Sequence, residues 1–248
     1  MRASASEPAG GDRRVRASAS EPRIAVALDT SDLGQLTAWA RTLAVEADVF
    51  KVGLEALVAL GPSSITAAAE HAPVFCDLKL HDIPNTVAGA AAGAAAHGAG
   101  MLTVHASGGH DMIAAAVAAA PGVEILAVTV LTSLDDAELE RMGMAGAATT
   151  VPWLARSAEA AGAAGIVCAG GEVAAVRDAV GAATRVVVPG IRPHTTTAQD
   201  QVRIVTPERA VRAGADLLVV GRPVTAAADP IAALRDIRRQ ASAGMTDR

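Results

Sequence analysis

The stretch VFCDLKLHDIPNTVAGAAAGAAAHGAGMLTVH, residues 74–105, contains one complete strand–helix–strand unit. It opens on an apolar run, residues 74–78, with the length and residue types of a buried parallel strand. Pro84 suits the first turn of the helix that follows, and Gly98 has the position of a helix C-terminal glycine. A second apolar run occupies residues 101–105. The stretch therefore predicts two parallel strands joined by a helix.

The same alternation of short β-branched runs and Ala-rich segments extends in both directions along the chain. The eight predicted strands are residues 24–28, 49–52, 74–78, 101–105, 124–130, 165–168, 185–188 and 217–220. Eight strands with intervening helices favour an α/β fold, a closed (β/α)8 TIM barrel. The chain has 248 residues, and such a barrel takes roughly 250. The pattern alone also allows an open doubly wound sheet.

We predict one barrel domain, residues 23–241, flanked by two segments outside the fold. Residues 2–8 and 16–22 both read RASASEP, a composition with almost no bulky apolar side chains. Such a segment cannot offset its ordering entropy by burial. We therefore expect a disordered N-terminal extension, residues 1–22, and a flexible C-terminal tail, residues 242–248.

Composition excludes several classes of function. A net charge of -5 without a Lys/Arg-rich face argues against nucleic-acid binding. No stretch reaches the ~18 strongly apolar residues of a membrane span. The six histidines are scattered, without a spacing typical of metal ligands, so we predict no metal site. Cys76 and Cys168 lie in apolar runs and are expected to be buried thiols, which fits a cytoplasmic protein.

The two lysines are the most informative cations. The chain has 21 basic residues, but only Lys51 and Lys79 are lysines, and the others are arginines. An ammonium group can release its proton, whereas a guanidinium effectively cannot. We therefore interpret both lysines as candidates for proton chemistry.

Polar side chains cluster at the C-terminal ends of the predicted strands, where active sites lie in this fold. Asp77 and Lys79 are two residues apart in a strand, so we expect their side chains on the same face. An alternating Asp/Lys array holds its carboxylates ionised and can supply a proton. Asp82 lies beyond the strand, where a helix-capping role is the alternative. The full set is Asp29, Lys51, Asp77, Lys79, Asp82, His105, Thr132, Arg192 and Arg222.

Two Gly-containing loops after the seventh and eighth strands predict a phosphate site. They read PGIRP, residues 189–193, and VGRP, residues 220–223. Gly221 lets the backbone approach an anion, and Arg222 can bind phosphate oxygens in a bidentate manner. The loops after these two strands form the usual phosphate site of the fold. The alternative is that these glycines and prolines only make tight turns.

The sequence DLKLHDIPNT, residues 77–86, resembles the signature of the orotidine 5'-monophosphate decarboxylase family. The resemblance extends from about residue 23 to residue 235. Further matching blocks are ALD (27–29), FKVGLE (50–55), TVLTS (129–133), PGIRP (189–193), DQVR (200–203) and VVGRP (219–223).

The resemblance implies an enzyme that decarboxylates orotidine 5'-monophosphate to UMP and CO2, the last step of de novo pyrimidine biosynthesis, without a cofactor. Lys79 would donate the proton to C6 of the pyrimidine, and Asp77 would lie beside the departing carboxylate. Lys51 and Asp82 would complete the charged network.

The same resemblance implies a homodimer with shared sites, in which Asp82 and Thr86 reach the active site of the neighbouring subunit. The Gly/Ala/Met-rich composition of residues 142–148 makes them flexible enough to belong to the loop that closes over the substrate. The substrate contacts implied are Asp29 and Lys51 at the ribose, Thr132 at the closing loop, Arg192, and Gln201, Gly221 and Arg222 at the phosphate.

Two other functions compete with this interpretation. A sugar-phosphate lyase such as hexulose-phosphate synthase shares the D-x-K-x-x-D pattern but requires a divalent metal and lacks the IPNT that stands here at residues 83–86. A non-catalytic phosphometabolite sensor would have little reason to keep both lysines.

Overall fold

Eight parallel strands close into a barrel in chain order, and the last strand pairs with the first. The computed structural model describes residues 22–193 and 205–246. The closed barrel confirms the predicted (β/α)8 TIM barrel and excludes the open sheet. The strands are β1 (Arg23–Ala27), β2 (Val49–Gly53), β3 (Val74–Leu80), β4 (Ala99–His105), β5 (Glu124–Val128), β6 (Gly165–Val167), β7 (Arg185–Val188) and β8 (Leu217–Val220).

Helices follow the strands and pack on the outside of the barrel. None of the helices in the described part of the chain is long and apolar enough to cross a membrane. They are α1 (Leu33–Leu43), α2 (Leu54–Leu60), α3 (Ser63–Ala69), α4 (Pro84–Ala96), α5 (His110–Ala119), α6 (Asp136–Arg141), α7 (Ala147–Ala160), α8 (Val173–Ala179), α9 (Pro207–Ala213), α10 (Arg222–Thr225) and α11 (Pro230–Ala243), with 3₁₀ turns at Ala106–Gly108 and Gly170–Glu172.

Helix α1 shows how the sequence sets an element of this outer ring. Asp32 caps it, because its carboxylate accepts a hydrogen bond from the backbone N–H of Gln35 at 3.1 Å. Its buried residues are Leu36, Ala40 and Leu43, whose spacing of four and three places them on one face. That face packs against the strands, so the helix contributes to the outer layer of the core.

The core has two layers, one on each side of the strands. Alternate residues of the strands fill the barrel interior, while the others pack against the helices. The interior layer contains Ala25, Val49, Phe75, Met101, Leu126, Val128, Val167, Val187, Leu217 and Val219. Above this layer, polar side chains of several strands gather at the open C-terminal end of the barrel.

The ends of the domain differ slightly from the predicted boundaries. Helix α11 continues to Ala243, and Met245 packs against the core, so the part of residues 242–248 that is described does not behave as the predicted tail. Pro22 is buried, which places the start of the fold one residue earlier than predicted. The rest of the predicted N-terminal extension lies outside the described residues.

Both cysteines are buried and unpaired, as predicted. Burial, together with the nearby Asp77 carboxylate, raises the pKa of the Cys76 thiol to about 12. Burial also raises the pKa of the Cys168 thiol. Both side chains are therefore neutral thiols and act as small apolar residues.

Candidate active site

A cavity of about 290 Å³ opens at the C-terminal ends of the strands. Its floor is formed by apolar side chains of the barrel interior, including Phe75, Val128 and Val219. Strands β1 to β3 contribute charged residues to one side, and the loops after β7 and β8 contribute glycines and arginines. The polar and loop residues are Asp29, Lys51, Asp77, Lys79, Thr132, Pro189, Gly190, Arg192, Gly221 and Arg222.

Four charged side chains form a continuous chain of alternating sign across this cavity. Lys51 Nζ lies 3.0 Å from Asp29 Oδ1 and 3.6 Å from Asp77 Oδ2. Lys79 Nζ donates a hydrogen bond to Asp77 Oδ1 at 2.8 Å. The structure thus brings together both lysines of the chain and two of the predicted aspartates. We refer to Asp29, Lys51, Asp77 and Lys79 as the ion array.

Lys79 reaches the array from an irregular segment of β3. The pairing of β3 with β4 shifts register between Cys76 and Leu80, and Lys79 has φ +50°, in the left-handed region that a side chain with a Cβ rarely adopts. The expectation that Asp77 and Lys79 share a face is confirmed. That expectation assumed that side chains alternate regularly between the two faces of the strand, but this alternation is interrupted at Lys79. The altered backbone is held by a hydrogen bond from the Lys79 N–H to the hydroxyl of Thr103 on β4, at 2.9 Å.

The array keeps the central carboxylate ionised. Burial by itself raises the pKa of Asp77, but the positive charges of Lys51 and Lys79 and the hydrogen bonds from Lys79 and Thr103 lower it below its usual value. Asp77 is therefore an anion at neutral pH although its side chain is only 16% exposed. A buried anion between two ammonium groups gives the cavity a strong local field.

Gly53, at the end of β2, makes the approach of Asp29 and Lys51 sterically feasible. A Cβ atom at this position would lie 3.0 Å from both Asp29 Oδ1 and Lys51 Nζ. Any larger residue would thus have to push the ion pair aside. Neither Gly53 nor Thr103 is predicted as a site residue from the sequence, since a glycine at a strand end and a threonine inside an apolar strand carry no distinctive local signal.

The predicted phosphate loops lie at the other side of the cavity. Gly190 has φ +74°, which favours glycine, and it lines the cavity with Pro189 and Arg192. Gly221 and Arg222 line it after β8, but α10 is a single turn, so little helix dipole is available there. The arginines are therefore the main positive groups for an anion at this side.

This arrangement has counterparts in known proteins. Residues 22–237 match the model of the orotidine 5'-phosphate decarboxylase / HUMPS family.

The chain belongs to this family.

Curated relatives agree with the assignment over most of the chain. Orotidine 5'-phosphate decarboxylase of Anaeromyxobacter sp. (strain K) is 56% identical over 218 residues, which cover 87% of this chain and 96% of the relative. That of Thermobifida fusca (strain YX) is 51% identical, with coverage of 85% and 91%. The crystal structure of the Lactobacillus acidophilus orotidine 5'-phosphate decarboxylase is 35% identical, with a TM-score of 0.77 and coverage of 89% and 99%.

The remaining decarboxylase-family positions do not line the cavity or lie outside the described residues. Asp82, just before α4, and Thr86, in the first turn of α4, are both exposed. Asp82 Oδ1 accepts a hydrogen bond from the N–H of Ile83 at 2.7 Å, and Ile83 itself is the N-cap residue of α4, so Asp82 does not cap this helix in the usual way. Gln201 and the DQVR block lie outside the described residues.

The segment expected to close over the substrate is partly helical. Helix α7 begins at Ala147, so the last two residues of 142–148 belong to it. The carboxylate of Asp136 accepts a hydrogen bond from the Ala147 N–H at 2.8 Å, which connects α6 to the start of α7. Met142, at the end of α6, is 56% exposed.

His105 does not line the cavity. Its ring lies beside that of His81, with the ring centroids 5.4 Å apart. Burial lowers the pKa of His105, and the neighbouring His81 and Lys79 lower it further, while Asp77 opposes them. Within residues 22–193 and 205–246, no group of three or more His, Cys, Asp and Glu side chains is arranged to hold a metal ion.

Proposed function

We propose that this chain is a carboxy-lyase that converts orotidine 5'-monophosphate to UMP and CO2. The observation that carries the proposal is the ion array, with Lys79 paired to Asp77 at 2.8 Å in a cavity that also contains Arg192 and Arg222. An anionic phosphate fits the arginine side, and a reacting ring fits the ion array. Relatives 56% and 51% identical to this chain carry the name of this decarboxylase.

In the proposed reaction the bond between C6 and the carboxylate carbon breaks, and its electron pair stays on C6. CO2 leaves, and the Lys79 ammonium donates a proton to C6 to give UMP. Water then returns a proton to Lys79. The ammonium groups are already in place before the reaction, so they stabilise the negative charge that develops on C6 without reorganisation.

Asp77 acts on the carboxylate that leaves. Two carboxylates at ~4 Å repel each other by about 4 kcal/mol at an effective dielectric of 20. Lys51 and Lys79 offset part of this repulsion in the bound substrate. The repulsion falls when CO2 departs as a neutral molecule, whereas the attraction between Lys79 and the carbanion grows.

The phosphate group of the substrate is remote from C6, but the free energy of its binding can promote the reaction at C6. Arg192, Gly221 and Arg222 would hold it, together with Gln201. We propose that this binding drives closure of the segment that begins at Thr132, because an interaction far from the bond that breaks can stabilise a closed state in which the reaction occurs.

The deciding assay is CO2 release from orotidine 5'-monophosphate by the purified protein, with and without EDTA. We expect chelator-resistant turnover. No CO2 release, together with cleavage of hexulose 6-phosphate that EDTA abolishes and Mg²⁺ restores, would indicate the sugar-phosphate lyase. Binding of the nucleotide without turnover would indicate the sensor.

We further propose that two subunits share each active site, with Asp82 and Thr86 supplied by the neighbour. Both residues are exposed in the single chain, and Asp82 forms no ion pair with the array among the described residues. Ile83, between them, is a large apolar side chain that is 66% exposed, as a residue of a surface covered by a partner subunit would be in the single chain.

Mixing two inactive variants tests this shared site. Lys79→Ala and Asp82→Ala homodimers should each be nearly inactive. Random reassociation of an equal mixture should restore roughly a quarter of wild-type activity, because half of the dimers are mixed and each has one intact site. No recovery, with subunit exchange verified by two affinity tags, would mean that Asp82 acts within its own subunit or not at all.

A further inference from the structure

Thr103 stands out among the residues that surround the ion array. It lies on β4, it is fully buried, and it does not line the cavity. Its hydroxyl donates a hydrogen bond to Asp77 Oδ1 at 3.0 Å and accepts one from the backbone N–H of Lys79 at 2.9 Å. A hydroxyl group can do both at once, so one side chain links the two central residues of the array.

The backbone at Lys79 needs such a partner. The register shift between Cys76 and Leu80 interrupts the regular pairing of β3 with β4. A buried N–H left without an acceptor is costly, and φ +50° at a lysine is itself unfavourable. Thr103 supplies the missing acceptor, so the altered backbone that directs Lys79 into the cavity depends on this hydroxyl.

The same hydroxyl orients the Asp77 carboxylate. Asp77 Oδ1 accepts hydrogen bonds from both Lys79 Nζ (2.8 Å) and Thr103 Oγ1 (3.0 Å), which leaves Oδ2 toward Lys51 at 3.6 Å. Two donors on one oxygen restrict rotation of the carboxylate. The ammonium group and the carboxylate are then fixed relative to each other from outside the cavity.

We propose that Thr103 is a positioning residue for the decarboxylation, because its hydroxyl sets both the Lys79 backbone and the Asp77 carboxylate in the geometry that the reaction requires. This inference rests on the proposed function. It assigns Thr103 no contact with the substrate.

The test replaces Thr103 by valine, which has nearly the same shape and lacks the hydroxyl. Thr129, just after β5, provides a matched control: it is also buried, but its hydroxyl donates only to the backbone carbonyl of Val167, at 3.0 Å, and it does not line the cavity. Thr103→Ser is the rescue variant, since it keeps the hydroxyl. All are compared in steady-state decarboxylation assays from pH 5 to pH 9.

We expect kcat/KM of Thr103→Val to fall by about 10- to 100-fold, the range that corresponds to the loss of one hydrogen bond to a charged group. Most of the fall should be in kcat, since the contacts to the ribose and phosphate remain. The acid limb of the pH profile should move to higher pH, because Asp77 loses a donor that favours its charged form. Thr103→Ser should stay close to wild type, and Thr129→Val should keep the wild-type acid limb.

A measurement without substrate separates this inference from the proposed function. In ¹³C NMR titrations, the Asp77 carboxyl should titrate at higher pH in Thr103→Val than in the wild type or in Thr129→Val. An unchanged Asp77 titration, or equal losses of kcat in the two valine variants, would overturn the positioning role. An inactive wild type with the shifted Asp77 titration would instead overturn the decarboxylase assignment alone.

If Thr103→Val does not fold, Thr103→Ala and Thr103→Ser replace it. Both lack the methyl group, so their ratio of kcat isolates the hydroxyl. A ratio near one would overturn the proposal.

Discussion

Replacement of Lys51 by methionine removes the charge between Asp29 and Asp77 and keeps most of the apolar stem. The Lys51 side chain is only 10% exposed, and that of Asp77 is 16% exposed. The substitution therefore leaves a buried carboxylate without one of its two cationic neighbours, while Lys79 remains in place.

The distances set the size of the effect. At 3.6 Å the attraction between Lys51 and Asp77 is about 5 kcal/mol at an effective dielectric of roughly 20. The shorter Asp29 contact contributes less than its 3.0 Å suggests, because the Asp29 side chain is 48% exposed and screened by water. Breaking a buried pair costs about 3–5 kcal/mol, so we expect Lys51→Met to lose about 3 kcal/mol of unfolding free energy at pH 8.

The loss should depend on pH in a defined direction. In the wild type the folded pKa of Asp77 lies below its unfolded value of about 3.9, so Asp77 contributes stability at all pH values above that and loses it as the pH falls through the folded pKa. Without Lys51, one of the positive charges that lower this pKa is lost, so the folded pKa of Asp77 lies higher in the variant than in the wild type. The stability lost with Lys51 therefore grows as the pH rises through the folded pKa values of the two proteins. The difference in unfolding free energy between the two proteins should be smaller at pH 3 than at pH 8.

Urea unfolding at pH 3 and pH 8, at one fixed protein concentration, measures the difference in unfolding free energy at each pH. Arg235→Met is the control, because Arg235 forms an ion pair with Glu46 at 2.7 Å but is 63% exposed. Such a surface pair contributes about 0–1 kcal/mol. Equal losses in Lys51→Met and Arg235→Met, or a loss of the same size at both pH values, would refute the electrostatic reasoning.

Two further predictions concern turnover. Lys79→Ala and Lys79→Arg should both fold and lose nearly all CO2 release, because neither alanine nor a guanidinium group donates the proton. If Lys79→Arg kept more than a tenth of wild-type activity, Lys79 would not be the proton donor. Arg222→Ala should raise KM about 100-fold and also lower kcat, since a charge-assisted phosphate contact is lost and closure is coupled to it. With a substrate that lacks its phosphate, added phosphite should increase wild-type turnover, and no activation would contradict phosphate-driven closure.

The amino-acid sequence determined the elements of the barrel and the residue types at its open end. Strand and helix patterns depend on near neighbours in the chain, so the sequence predicts strands at residues 165–168 and 217–220, close to their observed bounds. The bias toward arginine distinguishes Lys51 and Lys79 in the sequence itself. Active sites of TIM barrels lie at the C-terminal ends of the strands, which predicts that both lysines lie at the same end of the barrel. The structure places them on either side of Asp77.

Only the tertiary structure decided how these groups contact one another. The Asp29–Lys51 and Lys51–Asp77 ion pairs connect residues of different strands. Their distances depend on the register of β1, β2 and β3, which local sequence patterns do not fix. The left-handed backbone at Lys79 and the hydroxyl of Thr103 that holds it are separated by 24 residues in sequence. A threonine in an apolar strand resembles any buried β-branched residue until the opposing strand is placed beside it. Its role is determined by an interaction across the sheet, which no short stretch of the chain encodes.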